Sequence, residues 1–348
     1  MITDTIAKLQ SGQDLGLDET LEAMNDILTE GTPDKQKAEF LRFLAKKGET
    51  NDELFAMLSK MDELCIHIEP KCSGTIIDMC GTGGDRLSTF NISTTASFIV
   101  AASGGYVAKH GNRSVSSISG SADIFEYFGI DLDAYPEKIK SMIESDRIAF
   151  LFAQKFHPAM RHVAAARKIL GTRTAFNLLG PLCNPARVKN QLIGVFSEEL
   201  LRRIVLLLQR RGAQSIMTAH SGDGLDELST GAKNKICFLQ NGKITDILLD
   251  PQQLGLQRAM LSDLQISSKQ QAIKAFLSVL DGTANRSMSE IAMLNAAGGL
   301  VVGNIAKDFG EGLEIARNTL QSGAAYKFFV KYVTKYGNRD KIGEVQEA

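Results

Sequence analysis

The first 70 residues carry apolar side chains at the spacing of amphipathic helices. Apolar residues recur every three or four positions over Leu17–Leu28 and again over Ala38–Ala45. The sequence Thr50-Asn51-Asp52-Glu53 is a capping box, and it predicts a third helix with apolar positions from Leu54 to Met61. The pattern therefore predicts a small all-helical domain that ends near Pro70.

From about Ser73 onward, short β-rich runs alternate with helical stretches. The runs lie at 75–79, 106–109, 148–152, 191–196 and 215–219. Such alternation is typical of a mostly parallel sheet flanked by helices. The predicted fold class is α/β, with a large α/β domain at 71–348 and a small helical domain at 1–70, joined by helices from about 170–190.

Composition narrows the function classes. The formal net charge of -1 gives no electrostatic footprint for nucleic acid or a membrane surface, although it does not exclude a local basic pocket. Five cysteines without CxxC spacing fit a reducing cytosol better than a disulfide framework or a zinc site. The start of the chain has no secretory signal, and the longest apolar stretches are short and broken by glycine. We therefore expect a cytoplasmic protein with no nucleic-acid or membrane partner.

Ligands of parallel sheets bind outside the carboxyl ends of the strands, so the loops after the strands are the places to look for chemistry. The strand at 75–79 is followed by Gly81-Thr82-Gly83-Gly84-Asp85, and then by Thr89, Asn91, Ser93 and Thr94. Glycines and a helix N-terminus together favour a phosphate cradle. The alternative is a tight strand-to-helix turn with an ordinary N-cap, since the stretch is neither a Walker A motif nor a Rossmann fingerprint.

The next strand ends in "KHGNRSVSSISGS", which combines positive charge with many hydrogen-bond donors. Lys109 and Arg113 supply the charge; the donors are Asn112, Ser114, Ser116, Ser117 and Ser121. Two such loops on neighbouring parallel strands suit a ligand with two phosphate groups. His110 is either a general acid or base, or a structural histidine held by its neighbours.

Two further segments carry charged side chains of candidate function. In "HSGDGLDEL", Asp226 and Glu227 are either ligands of Mg²⁺, which prefers a few carboxylates plus phosphates and water, or a solvated acidic turn. In the segment from His157 to Ala186, Arg167 lies on a predicted helix from about Pro158 to Leu170. It either offers a fork to a carboxylate or is a surface arginine.

Together these segments resemble the anthranilate phosphoribosyltransferases of tryptophan biosynthesis. The matching motifs are "GTGGD…TFNIST", "KHGNRSVSS…SGSAD", "HPAM…RKILGTRTAFNLLGPLCNPA" and "DGLDEL", in that order. "AEFLRFLAKKGET" and "LNAAGGLVV" extend the resemblance over nearly the whole chain. The first motif is shared more loosely with pyrimidine nucleoside phosphorylases, whereas "RTAFNLLGPLCNP" is more discriminating.

The resemblance implies transfer of ribose 5-phosphate from phosphoribosyl pyrophosphate (PRPP) to the amine of anthranilate, with release of pyrophosphate. It implies two Mg²⁺ ions, one bound by Ser93 and Glu227 and one by Asp226 and Glu227, and a homodimer formed through the helical domain. Anthranilate would contact Gly81, Asn112 and Arg167, with His157 lining its access path. The PRPP-binding residues it implies are Gly81, Gly84, Asp85, Thr89, Asn91, Ile92, Ser93, Thr94, Lys109, His110, Gly111, Asn112, Arg113, Ser114, Val115, Ser116, Ser117 and Ser121.

Departures from the family pattern are few. Arg86 stands where a glycine is usual in the first loop, and Gln154 stands where proline is frequent. Arg86 puts the affinity for PRPP in question, but not the reaction. Two alternatives remain at this point: an enzyme like the pyrimidine nucleoside phosphorylases, and a non-enzymatic nucleic-acid-binding paralogue, which should show a basic stripe and an eroded metal pair.

Overall fold

A computed structural model describes residues 2–85, 87–114 and 118–347. The chain forms two compact units, Met1–His67 with Ala153–Pro185 (the helical unit) and Ile68–Phe152 with Ala186–Ala348 (the α/β unit). The sequence pattern puts the first boundary near Pro70 and the joining helices at about 170–190, whereas the second segment of the helical unit begins at Ala153.

Within the described residues, the secondary structure begins with helices and then alternates. In chain order the elements are α1 (Ile2–Gln10), α2 (Leu17–Leu28), α3 (Asp34–Lys47), α4 (Asn51–Glu63), β1 (Ile76–Gly81), α5 (Ile92–Ala102), β2 (Tyr106–Gly111), α6 (Ser121–Tyr127), α7 (Pro136–Asp146), β3 (Ile148–Phe152), α8 (Ala153–Phe156), α9 (Arg161–Leu170), α10 (Ala175–Leu179), β4 (Asn190–Gly194), α11 (Leu200–Arg210), β5 (Ser215–Ser221), β6 (Asn234–Gln240), β7 (Lys243–Leu249), α12 (Lys269–Asp281), α13 (Arg286–Val302), α14 (Phe309–Gln321), α15 (Ala324–Tyr336) and α16 (Asp340–Glu347). Short 3₁₀ turns fall at Pro158–Met160, Gly180–Leu182, Pro251–Leu254 and Leu261–Asp263.

The helical unit follows the apolar pattern of the sequence closely. Thr50 caps α4 as predicted, because its Oγ1 accepts the Glu53 N–H at 3.1 Å while the Glu53 carboxylate accepts the Thr50 N–H at 2.7 Å. The helix expected from Pro158 begins as a 3₁₀ turn and continues as α9 to Leu170, where Gly171 ends it with a φ of 60°. None of the helices in the described part of the chain has the length and apolar character needed to span a bilayer.

The α/β unit is built on a seven-stranded sheet in the order β3-β2-β1-β4-β5-β6-β7. The first five strands pair in parallel, and β6 and β7 pair antiparallel at one side. The prediction of a mostly parallel sheet with a helical domain is therefore confirmed. Helices α5 and α13 pack against each other, and the Phe98 ring on α5 lies 5.1 Å from the Phe329 ring on α15 and 5.5 Å from the Phe276 ring on α12.

The hairpin of β6 and β7 lies outside the five β-rich runs that the sequence pattern predicts. Asn241 and Gly242 connect the two strands with φ values of 52° and 77°. Positive φ at both central residues is the requirement of a type I′ turn, for which Asn-Gly is the preferred pair. The dipeptide between "CFLQ" and "KITD" was thus the available signal for this hairpin.

Candidate active site

The site is organised by two glycines that lie side by side where two central strands end. Gly81 of β1 pairs with Gly194 of β4. A Cβ built on Gly194 would lie 1.6 Å from the carbonyl oxygen of Asp226, and one built on Gly81 would lie 2.7 Å from Asp226 Oδ2. The missing side chains therefore let the loop after β5 approach the strand ends, which is the usual reason for glycine in a strand next to another backbone.

The glycine-rich loop after β1 contacts the same acidic residue. Gly83 and Gly84 have φ values of 70° and 92°, a conformation that other residues rarely adopt. The N–H of Gly83 donates to Asp226 Oδ2 at 2.6 Å, and the N–H of Thr82 donates to the Gly194 carbonyl at 2.9 Å. The loop and the acidic pair thus form one connected structure.

The N-terminus of α5 forms the next part of the site. The carboxylate of Glu227 accepts hydrogen bonds from the N–H and the hydroxyl of Ser93. Thr94 Oγ1 lies 3.2 Å from the Ser121 hydroxyl at the start of α6. Lys109, at the end of β2, donates to Ser93 Oγ at 3.2 Å. Residues predicted from three separate stretches of sequence are therefore neighbours.

Burial makes the acidic pair electrostatically unusual. Asp226 is only 7% exposed, and its burial, followed by the charges of Asp85 and Glu227, raises its pKa well above the ordinary value. Burial likewise raises the pKa of Glu227 to about 7, with Asp85 adding to the shift and Lys109 opposing it. Carboxylates that are crowded and desolvated in this way gain stability from a bound cation.

Lys109 supplies the positive charge of the site. It is 1% exposed, and burial lowers the pKa of its ammonium group, which the charge of Asp78 partly offsets. Its Nζ also donates to the Met79 carbonyl at 2.7 Å. Asp78 in turn accepts the His110 N–H at 3.1 Å and the Gln191 amide at 3.1 Å, so one carboxylate ties three neighbouring strands together.

The other predicted PRPP residues are spread along the two loops. His110 is buried, and Thr89 forms an isolated bridge with Gln265. Arg113 donates to Glu126 at 2.6 Å and lies over the Phe152 ring at 4.9 Å, so its guanidinium already has an acidic partner. A Cβ on Gly111 would lie 2.9 Å from the Phe150 ring.

Three further predicted PRPP residues lie in or beside the same loops. The carbonyl of Asn112 accepts the Ala122 N–H at 3.3 Å, and Ile92 is buried in the first turn of α5. A Cβ on Gly120 would lie 2.3 Å from the backbone nitrogen of Ser114. Four positions named from the sequence lie outside the described residues; they are Arg86, Val115, Ser116 and Ser117.

The two predicted anthranilate residues of the chain's middle segment belong to the helical unit. Arg167 lies on α9 with its guanidinium 5.8 Å from the Phe176 ring and 3.4 Å from Asn177 Oδ1, and burial lowers its pKa. His157 is buried beside Cys65, with 3.9 Å between Nε2 and Sγ. Burial lowers the pKa of His157 to about 4, which keeps the ring neutral at physiological pH.

Comparisons with known proteins fit this arrangement. A sequence model of the glycosyl transferase family, a/b domain, matches residues 73–326, and one of the helical bundle domain of the same family matches residues 3–65. The chain is 56% identical over 347 residues to the anthranilate phosphoribosyltransferase of Nitrosopumilus maritimus (strain SCM1), covering 100% of both. The chain belongs to the anthranilate phosphoribosyltransferase family. The family predicted from the motifs is thus confirmed.

Solved structures of the anthranilate phosphoribosyltransferase family have the same fold. The crystal structure of the enzyme from Thermus thermophilus is similar with a TM-score of 0.88 and 37% identity, over 95% of this chain and 98% of that chain. The enzyme from Saccharomyces cerevisiae in complex with PRPP and Mg is similar with a TM-score of 0.85 over 99% and 98%. At 24% identity, the yeast likeness shows the fold alone.

The residues present fit the magnesium that the family implies. Within the described ranges, no three His, Cys, Asp or Glu side chains are grouped to hold a metal on their own. Mg²⁺ does not require such a group, since it takes one or two carboxylates and completes its shell with phosphates and water. The donor set is all oxygen, and Asn91 Oδ1 is a further buried oxygen with no hydrogen-bond partner in the described part of the chain.

Sequence reasoning missed the residues that shape the site without carrying its chemistry. Gly194 and Asp78 are not among the residues predicted from the sequence. Gly194 lies against the backbone of Asp226, and Asp78 accepts the His110 N–H. A glycine inside the apolar run "LIGV" was the signal for the first, because such a glycine marks a close backbone approach. An aspartate inside the apolar run "IIDM" was the signal for the second.

Proposed function

We propose that this chain transfers the 5-phosphoribosyl group of PRPP to the amine of anthranilate at the site formed by β1, β2, α5 and the loop after β5. The observation that carries the proposal is the contact of the buried acidic pair Asp226-Glu227 with the glycine-rich loop and the first turn of α5. That contact brings cation ligands and anion-binding backbone groups to one place, as a metal–diphosphate complex requires.

The chain's own groups would bind and orient PRPP. Lys109 and the amides at the start of α5 would contact phosphate oxygens, while the Gly81–Asp85 loop would lie against the pyrophosphate. Gly83 and Ser93 donate to the acidic pair, so these anion-binding groups lie directly beside the carboxylates that would hold the metal. Magnesium, when bound, neutralises negative charge that develops on a departing pyrophosphate.

The proposed metal ligands are Ser93 and Glu227 for one ion and Asp226 and Glu227 for a second. A count of two ions is supported by the three oxygen-bearing side chains that meet there. Titration of the PRPP complex with Mn²⁺, followed by the anomalous signal of Mn²⁺ in crystals, would give the number directly. One manganese peak at full occupancy would reduce the proposal to a single ion.

No protein nucleophile or base is needed at anthranilate. As the amine nitrogen bonds to C1 of PRPP, the bond from C1 to the pyrophosphate oxygen breaks and pyrophosphate leaves. The nitrogen then releases its proton to water, because an aromatic amine is a weak base. The protein's task is therefore to hold the amine in line with C1. We assign Gly81 and Asn112 to this contact, His157 to the access path and Arg167 to the substrate carboxylate. The neutral His157 ring is suited to lining a path rather than to proton transfer.

Replacing Arg167 by alanine is expected to raise the KM for anthranilate by about 10- to 100-fold and to change the KM for PRPP by less than about threefold. The reason is that a planar guanidinium binds a carboxylate through two hydrogen bonds, and PRPP has no carboxylate. Steady-state kinetics with each substrate varied in turn measures the effect. Lys168→Ala removes an exposed cation from the next position of α9 and is the matched control. Equal changes in both KM values would contradict the role.

Activation by Mg²⁺ is expected to depend on pH. A carboxylate must lose its proton to bind a cation, and burial raises the pKa of Glu227 to about 7. The Mg²⁺ concentration for half-maximal rate should therefore fall as the pH rises from 6 to 8, by up to about tenfold per pH unit below 7. Initial rates at fixed PRPP, corrected for protonation of free PRPP, measure the effect. At saturating Mg²⁺ the rate should become independent of this ionisation, and a pH-independent requirement would contradict the assignment.

We further propose a homodimer through the helical unit and a cytoplasmic location. The proposal of a homodimer follows from the family resemblance, and Ile169, 63% exposed on α9, is an apolar surface side chain of this unit at which it can be tested. None of the five cysteines, all of which lie in the described residues, forms a disulfide, in keeping with a reducing compartment. Light scattering of the purified chain tests the first proposal, since Ile169→Asp should shift a dimer toward monomer.

The test of the proposed function is direct. Anthranilate fluoresces, so its disappearance can be followed with PRPP and Mg²⁺, and then again after addition of a chelator. A parallel assay with thymidine and phosphate examines the nucleoside phosphorylase alternative. Metal-dependent loss of anthranilate supports the proposal, whereas turnover of thymidine alone would replace it.

A further inference from the structure

The motif "LNAAGGLVV" lies outside the strands, helix and loops that form the proposed active site. It lies on α13, and its asparagine, Asn295, is 1% exposed. The Nδ2 group of Asn295 donates to the Leu228 carbonyl at 2.8 Å and to the Ile291 carbonyl at 2.9 Å. Its Oδ1 accepts the Leu228 N–H at 3.1 Å. One buried amide therefore binds both backbone groups of a single loop residue.

Leu228 is the residue directly after the acidic pair. Because Asn295 binds its N–H and its carbonyl together, it holds this piece of loop as a neighbouring strand would. Gly298, one turn further along α13, has no side chain, and a Cβ there would lie 2.8 Å from Leu228 Cδ1. The helix thus contacts the loop through a hydrogen-bonded pair and an apolar contact.

The acidic loop also contacts a second element. The backbone of Asp226 approaches Gly194 of β4 so closely that a Cβ has no room. The loop between β5 and β6 is therefore held at Asp226 by the end of β4 and at Leu228 by Asn295. The two contacts flank Glu227, whose carboxylate reaches Ser93.

We propose that Asn295 is a positioning residue for the carboxylates of Asp226 and Glu227. It acts through the backbone of Leu228 and touches neither substrate nor metal. The inference rests on the proposed function, because the acidic pair has this role only where it binds a metal–PRPP complex. Residues that orient metal ligands through hydrogen bonds typically change metal affinity or activity by about 10- to 100-fold when they are replaced.

A purely structural role would predict a different result, and the chain offers a matched comparison. Asn190 is also a buried asparagine, 2% exposed, and its Nδ2 donates to the Val302 carbonyl at the end of the same helix at 2.6 Å. It lies at the first position of β4, so its bond joins α13 to the sheet at the strand end away from Gly194. Removing either amide leaves a buried carbonyl without its donor, but only Asn295 reaches the acidic loop.

The experiment compares Asn295→Ala and Asn190→Ala with the wild-type chain. Isothermal titration calorimetry with PRPP in the presence of Mg²⁺ gives the Kd, thermal unfolding gives the Tm, and kinetics give the KM for anthranilate. We expect both variants to lower the Tm by several degrees. Only Asn295→Ala should raise the Kd for PRPP with Mg²⁺ by about tenfold or more, with the KM for anthranilate changed by less than about threefold.

A second variant covers the case in which Asn295→Ala does not fold. Asn295→Ser keeps a hydroxyl that can bond the Ile291 carbonyl one turn earlier but is too short to reach Leu228. It should show the same rise in Kd with a smaller fall in Tm. Equal changes of Kd in the Asn190 and Asn295 variants, or an unchanged Kd in Asn295→Ser, would overturn the inference. If instead the wild-type chain does not bind PRPP with Mg²⁺, the proposed function itself fails, and the positioning role of Asn295 fails with it.

Discussion

Replacing Glu227 by glutamine is expected to lower kcat/KM for PRPP by about 10²- to 10³-fold and, at the same time, to stabilise the ligand-free chain. The loss follows because the neutral amide of glutamine cannot act as an anionic ligand of the metal. Removing one such charge-stabilising group from an active site typically lowers the rate by about 10²- to 10³-fold. The gain follows because burial raises the pKa of Glu227 to about 7, which means that the folded chain holds its charged form at a cost.

The direction of the pH effect on stability follows from that raised pKa. A glutamate with a higher pKa in the folded chain than in the unfolded chain stabilises the fold fully below its unfolded pKa, near 4.5, and loses this contribution as the pH rises through about 7. Glutamine carries no such charge at any pH. The Tm of the variant should therefore equal or trail that of the wild-type chain near pH 5 and exceed it at pH 8, by about 2–5 °C.

Thermal unfolding of the ligand-free proteins at pH 5, 7 and 8, together with kinetics at saturating Mg²⁺, tests both parts. Glu314→Gln removes an exposed carboxylate from α14 and is the matched control, with no expected pH-dependent gain and no loss of activity. A Glu227→Gln variant with near-normal turnover would remove the metal assignment. A variant that loses activity without gaining stability at pH 8 would instead show that the carboxylate is not destabilised in the fold.

The features of the fold that could be predicted from the sequence are those formed by residues close together in the chain. The capping box at Thr50 can be predicted because the donor, the acceptor and the start of the apolar face of α4 lie within about one turn of each other. The binding loops at the strand ends of the α/β unit can be predicted for a similar reason, since each loop carries its own glycines, hydroxyls and charges.

Contacts between distant segments left weaker signals. Asp226 bonds to Gly83, which is 143 positions away in sequence, and Asn295 bonds to Leu228 across 67 positions. The sequence pattern contains the residue types at both ends of each bond, but not the pairing. The hairpin at Asn241-Gly242 is the opposite case, because its turn signal is local and consists of two adjacent residues of the preferred type.

Replacing Gly194 by alanine is expected to lower kcat/KM for PRPP by about 10²-fold or more. A Cβ there would lie 1.6 Å from the Asp226 carbonyl oxygen and 2.3 Å from its carbonyl carbon, so the loop backbone must move away from β4. A displacement of about 1 Å at a catalytic group is enough for a loss of this size. The obstacle is a backbone atom, which cannot turn aside as a flexible side chain would.

The Gly194→Ala variant is best measured beside Gly343→Ala, because a Cβ at Gly343 meets no atom within 4 Å. Both variants add one methyl group to the α/β unit, but only the first displaces the acidic pair. Kinetics at increasing Mg²⁺ should show that Gly194→Ala needs more metal and does not recover the wild-type rate, while Gly343→Ala behaves as wild type. Far-ultraviolet circular dichroism should be alike in all three proteins, since β4 keeps its partners on both sides. Wild-type kinetics in Gly194→Ala would mean that the acidic loop can carry out its function away from the strand end, and that the close approach of Asp226 to β4 is not what places the metal ligands.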